Sequence, residues 1–158
     1  MALGEVGTRA YREDENGDVW VECPKPYLLF ADYEAVTDAA GVQSPILVCA
    51  EGGDEDTTFA FYGPDCSAEF MEHLDSLTVD EYGDDRKVIC IFHNFKGYDG
   101  MFILQYLYEN HREVEDQVCI GTKVLSLTTG DITFKDSLCF LPFPLSAFPS
   151  TFGITEQC

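Results

Sequence analysis

The sequence is short of positive charge. Nine Lys and Arg face 29 Asp and Glu across 158 residues, a formal net charge of −20. Duplex nucleic acid is gripped by basic side chains that displace condensed counterions, so this charge excludes a general duplex binder on electrostatic grounds. Long apolar runs are also missing. None approaches the roughly 18 to 20 residues needed to span a bilayer, and the amino terminus has no basic stretch leading into an apolar core. The expectation is an intracellular, unsecreted protein with no membrane partner; nuclear and cytosolic placement are not separated. Paired cysteines are absent as well. The seven cysteines, at 23, 49, 66, 90, 119, 139 and 158, are odd in number, and most sit in apolar runs such as ILVCA and VICIF. They read as reduced core thiols, and without C-x-x-C spacing they offer no zinc site.

What is present is enough for a core. Hydrophobic residues make up 46% of the chain, with 12 Phe and 8 Tyr, so burial can offset chain entropy despite the charge. The acids are unevenly placed: residues 1–85 hold 21 acids and 3 bases, whereas 86–158 hold 8 and 6. Any nucleic-acid contact therefore belongs mostly to the second half. Residues 1–25 read as an acidic leader ending at Cys23-Pro24-Lys25-Pro26, where two prolines break regular structure. Asp14, Asn16 and Asp18 resemble the start of a calcium loop, but Val19 stands where Gly is needed and Lys25 where Glu is needed, so that reading fails.

Residues 26–158 read as one α/β domain. The run YLLFA (27–31) is short and continuously apolar, as in a strand buried on both faces. Strands are expected at 45–50 and 57–62 around the acidic turn EGGDED, then a helix over 66–77, a buried strand over 87–92 and a helix over about 100–109. A hairpin built on VLSL and ITF follows, and the proline-rich tail should be irregular or carry a short helix. Three strands in succession suggest an antiparallel meander, and a strand reached through a helix should run parallel by a right-handed crossover. That order matches a ribonuclease H-like mixed sheet with flanking helices.

Two acid groups carry the chemistry. Asp32 and Glu34 are two apart on a strand, so both project from one face and Tyr33 from the other. Ionised carboxylates about 4 Å apart repel by roughly 4 kcal/mol at an effective dielectric near 20, so such a pair calls for a proton or a cation. Oxygen ligands without His or Cys select Mg²⁺ or Mn²⁺. Asn94 and Asp99 flank a turn at the carboxyl end of the strand KVICIF, where open α/β sheets collect ligands. If that strand lies parallel beside the first, Asp99 joins Asp32 and Glu34. Three carboxylates so placed suit two-metal phosphodiester hydrolysis. Asp116, in a polar loop, Asp131, in a hairpin turn, and Asp136 are poor candidates for a fourth. His73, alone among acids on a helix, reads as a surface residue.

Three stretches, YLLFADYEA (27–35), FHNFKGYDGMFILQYL (92–107) and FKDSLCFLPFPLSAFPSTFGI (134–154), closely resemble the 3′–5′ exonuclease domain of protein-primed family B DNA polymerases. These occur in some phages, linear organellar plasmids and Maverick/Polinton transposons. The resemblance implies a DNA-directed DNA polymerase with a proofreading exonuclease. It implies that Asp32 and Glu34 form the first exonuclease motif and Asp99 the carboxylate of the second, holding two catalytic metals. Asn94 and Tyr98 belong to that second motif. The resemblance further implies that His93, Asn94 and Phe102 stand at positions that in the family help to hold a single-stranded 3′ end or the priming terminal protein, and that Ser137-Leu138 corresponds to a short motif that contacts the primer terminus.

The sequence also departs from that family. No Tyr-x-x-x-Asp third motif follows the hairpin, the lysine that assists the exonuclease is absent, and so are the palm motifs. The expectation is an amino-terminal fragment, truncated before its third motif and inactive alone, whose partners include the remaining polymerase domains. The rival reading is a catalytically inactive ribonuclease H-like scaffold; an independent nuclease completed by Asp136 is a third. Stacking and local contacts hold single strands, and Lys96, Lys123 and Lys135 lie in the nearly neutral half. Single-stranded DNA should therefore bind the chain only weakly at physiological salt; a submicromolar Kd by fluorescence anisotropy would contradict this.

Overall fold

The computed structural model of the chain describes residues 11–13, 16–17, 19–21, 24–52, 57–81 and 83–153. Within the acidic leader, Tyr11–Glu13 (β1) and Val19–Val21 (β2) pair antiparallel as a separate ribbon, an element the composition did not announce. Asp14 and Asp18 of the rejected calcium loop, residues 53–56 of the acidic turn, and Cys23 and Cys158 lie outside the described residues.

Tyr27–Thr37 (β3), Gln43–Gly52 (β4) and Thr57–Tyr62 (β5) form the expected antiparallel meander. Pro64 and Asp65 precede Cys66–Ser76 (α1), whose apolar residues Phe70, Met71 and Leu74 recur at helical spacing and are buried. The chain returns as Val88–Phe92 (β6), parallel to β3, and Asp99–Glu109 (α2) follows. Asp116–Ile120 (β7), Lys123–Thr129 (β8) and Ile132–Asp136 (β9) close the sheet, and Phe148–Phe152 (α3) forms a short helix in the tail. The strand order is β5-β4-β3-β6-β9-β8-β7, with β3, β6 and β9 mutually parallel at the centre. This is an α/β fold with a seven-stranded mixed sheet and helices, consistent with the ribonuclease H-like class.

Three expectations are corrected. β3 is not buried on both faces: Leu29, Ala31 and Tyr33 are buried while Leu28, Phe30, Asp32 and Glu34 alternate outward. The apolar run misled because α1 and α2 occupy the same face, both reaching Tyr33 through Phe70 and Phe102. Cys66 and Cys90 are buried core thiols, but Cys119 and Cys139 are exposed. Asp116 opens β7 rather than lying in a loop; all five residues of that edge strand are exposed, so it carries no burial pattern, and its pairing with β8 defines it.

The core is aromatic. The Phe92 ring stacks on Tyr33 at 5.9 Å and meets Phe70, Phe95 and Phe134 edge-on or tilted. Offset and edge-to-face pairs of this kind add to area burial. Phe92→Ala should therefore destabilise the chain by about 3–5 kcal/mol, read by urea unfolding; a loss under about 1 kcal/mol would show that the site collapses freely.

Candidate functional site

The parallel strands end in register. Ala31 pairs with Phe92, and Phe92 with Asp136, so Asp32, the loop after β6 and Asp136 sit side by side at the carboxyl edge. Along β3 the Tyr27 amide points toward β6 and donates to the Lys87 carbonyl at 2.8 Å. Six residues on, the Tyr33 amide points the same way, but β6 has ended. The Asp99 carboxylate supplies the acceptor, with Oδ1 at 3.0 Å.

Asp99 therefore does more than begin α2. Its side chain crosses to β3 and accepts from the amide that lies between Asp32 and Glu34 in sequence. Two local features let it do so. Asn94 takes a left-handed backbone at φ 75°, which turns the chain out of β6, and Asn tolerates that region well. Gly100 lets the first turn of α2 pack on the Phe95 carbonyl, which a Cβ would approach to 2.8 Å.

The carboxylates feel one another. Asp99 is 1% exposed, and burial pushes it up to about 7, with the charge of Asp32 adding and the Tyr33 amide opposing. Asp32 is raised first by partial burial and then by Glu34, while the Tyr33 amide and His93 oppose. The phenol of Tyr98 is raised by desolvation and by the charges of Glu34, Asp99 and Asp32. Asp32, Glu34, Tyr98 and Asp99 thus form one electrostatic neighbourhood. Even so, among the described residues no three His, Cys, Asp or Glu side chains converge on a common metal position. The donor chemistry, all hard oxygen, fits a divalent cation; the placement is not a closed cage.

The other candidate residues divide. His93 Nε2 lies 2.9 Å from the Phe143 carbonyl, which can only accept, so Nε2 carries a proton. Nδ1 of the same ring lies 2.9 Å from the Ser137 hydroxyl, which also reaches the Phe92 carbonyl at 3.2 Å. The pair fastens the tail to the end of β6, with Phe148 edge-on to the imidazole. Asn94 and Leu138 meet through their amides, both donating to Asp136 Oδ1 at 3.1 and 2.9 Å. Phe102 is 5% exposed, wedged between Tyr33 and Tyr98. A cavity of about 460 Å³ between β4, α1 and α2 touches Phe102, but Asp32, Glu34 and Asp99 do not line it.

Asp136 is the residue whose role the sequence did not reveal. It is 1% exposed and also accepts from the Lys96 amide at 3.0 Å, so one carboxylate pins both the turn after β6 and the turn after β9. The available signal was Asp-Ser-Leu directly after a strand, the pattern of an Asx turn. With its oxygens committed to amides, it serves as a staple.

Residues 82–157 match the family model of DNA polymerase type B, organellar and viral. The match covers His93, Asn94, Tyr98, Asp99, Phe102, Ser137 and Leu138, whereas Asp32 and Glu34 precede it. The likeness to organellar and viral type B DNA polymerases rests on this segment, just under half of the chain. No curated protein matches the chain. Among the described residues, no helix is long and apolar enough to cross a membrane.

The raised Asp99 has a signed consequence. Its unfolded value is near 3.8 and its folded value about 7, so the folded chain holds the proton more tightly. This group's effect on stability is absent below about 4 and grows unfavourable as pH rises through about 7. In chelator, wild-type Tm should fall relative to Asp99→Asn between pH 5 and 8; parallel Tm curves would refute the assignment.

Proposed function

We propose that this chain forms part of the 3′–5′ proofreading exonuclease domain of a protein-primed family B DNA polymerase. The observation that carries the reading is the Asp99 carboxylate bonded to the amide between Asp32 and Glu34, which unites the two acid motifs at the ends of parallel strands. Asp32, Glu34 and Asp99 would hold Mg²⁺ or Mn²⁺, which in such sites activates water and stabilises the departing 3′ oxygen. The raised carboxylates support this: a cation would relieve the repulsion that now favours protons.

The chain's own residues have separate tasks in this reading. Tyr98, at the acid cluster with Phe102 packed edge-on behind it, and Asn94, exposed at the turn, face the single-stranded 3′ end. His93 and Ser137 lock the tail that carries Leu138 against the same edge. A priming terminal protein and further polymerase domains complete the assembly, and a later acid is needed for full hydrolysis. The scaffold reading draws on a different observation, the lack of three converging ligands among the described residues.

Binding of Mn²⁺ to the full chain, followed by electron paramagnetic resonance, separates the two. Asp32→Ala and Asp99→Asn should each weaken Mn²⁺ affinity by about tenfold or more. Equal binding by wild type and both variants would overturn the exonuclease reading in favour of the scaffold.

A further inference from the structure

Asn94 is held from two sides. Its backbone stands at φ 75° and its amide donates to Asp136 Oδ1 at 3.1 Å, which together set the direction in which the side chain leaves the end of β6. Gly97 then makes room for that side chain. A Cβ at Gly97 would lie 2.6 Å from Asn94 Oδ1 and 2.8 Å from Nδ2, closer than real Cβ atoms come, so the carboxamide rests over the bare Cα of Gly97. Gly97 does not itself take a positive φ. Space, and not backbone freedom, is what this glycine supplies.

Asp136 extends the constraint to a second loop. The oxygen that takes the Asn94 amide also takes the Leu138 amide at 2.9 Å, and Oδ2 takes the Lys96 amide at 3.0 Å. Phe92 lies beside Asp136 on parallel strands, so the turn after β6 and the turn after β9 meet on one carboxylate. A shift of either turn would leave that buried charge short of a donor. Asn94 and Leu138 are thereby held in register with each other.

We propose that Asp136 and Gly97 are positioning residues for the strand end: they fix the Asn94 carboxamide and keep Leu138 in step with it, so that both meet the same unpaired nucleotides. Groups already held in their bound geometry lose less freedom on contact, so affinity depends on residues that touch no nucleic acid. The inference rests on the exonuclease reading, which is what puts Asn94 and Leu138 at the 3′ end.

The test uses the full chain and a short oligothymidylate with a free 3′ hydroxyl, read by fluorescence anisotropy at low salt, with Mn²⁺ binding followed in parallel. Asn94→Gly keeps the left-handed backbone and removes the carboxamide. Gly97→Ala should weaken oligonucleotide binding by about threefold or more in the wild-type background and have no further effect in Asn94→Gly. Asp136→Asn retains an oxygen for the Asn94 and Leu138 amides and should bind within about twofold of wild type. Asp136→Ser, whose hydroxyl reaches only the Leu138 amide in its own turn, should lose about tenfold. Mn²⁺ affinity should stay within about twofold of wild type in all of them, because none removes a proposed metal ligand.

An equal loss from Gly97→Ala with and without the Asn94 side chain would overturn the proposal, as would wild-type binding by Asp136→Ser. A tenfold loss of Mn²⁺ affinity in Asp136→Asn would also overturn it, by making Asp136 a ligand. Gly97→Ala asks only the Asn94 carboxamide to move, so the cycle with Asn94→Gly decides the matter even where Asp136→Ser fails to fold. Failure of the exonuclease reading has a separate signature, Mn²⁺ binding that Asp32→Ala and Asp99→Asn leave unchanged.

Discussion

Where β6 stops at Phe92 and β3 runs on, the Tyr33 amide loses its ladder partner and the Asp99 carboxylate takes that place at 3.0 Å. A buried amide without an acceptor costs about 1–3 kcal/mol, so this bond is part of the fold as well as of the site. It fixes the start of α2 against β3 and brings a third carboxylate to the strand that bears Asp32 and Glu34. The turn over 94–98 follows from the same constraint. Asn94 must reverse the chain, Gly100 must admit the Phe95 carbonyl, and Asp136 must hold the turn by its amides.

The arrangement concentrates charge where desolvation makes charge expensive. Burial raises Asp99, and Asp32 adds to that rise, so neither is at ease as an anion without a cation nearby. Asp136 shows the contrast. It is equally buried, but three amides donate to it, and a carboxylate so bonded is a structural fixture. Burial alone does not mark a functional acid; the number of donors already satisfied distinguishes the two.

The sheet divides the molecule unevenly. On one side Tyr33, Phe70, Phe92, Phe95 and Phe134 form a packed aromatic core beneath α1 and α2. On the other, the same strands present Leu28 and Phe30 among acids. The acid cluster lies at the edge shared by both sides: Asp99 approaches from the helical layer, while Asp32 and Glu34 belong to the open face.

By itself the sequence determined the period of each element. Apolar runs and helical spacing placed β4 to β6, both long helices and the β8–β9 hairpin close to their observed limits, because those patterns follow from local backbone geometry, whereas β3, expected over 27–31, runs on to Thr37. The two-residue spacing of Asp32 and Glu34 likewise guaranteed a shared face. Tertiary structure decided what no local pattern encodes. The apolar run of β3 could not reveal that only one face is covered, since that depends on where both helices cross. β7 lacked a burial pattern because it lies at an edge. Asp136 and Asp99, two similar acids after similar strands, were assigned different work by which backbone amides the sheet left unpaired.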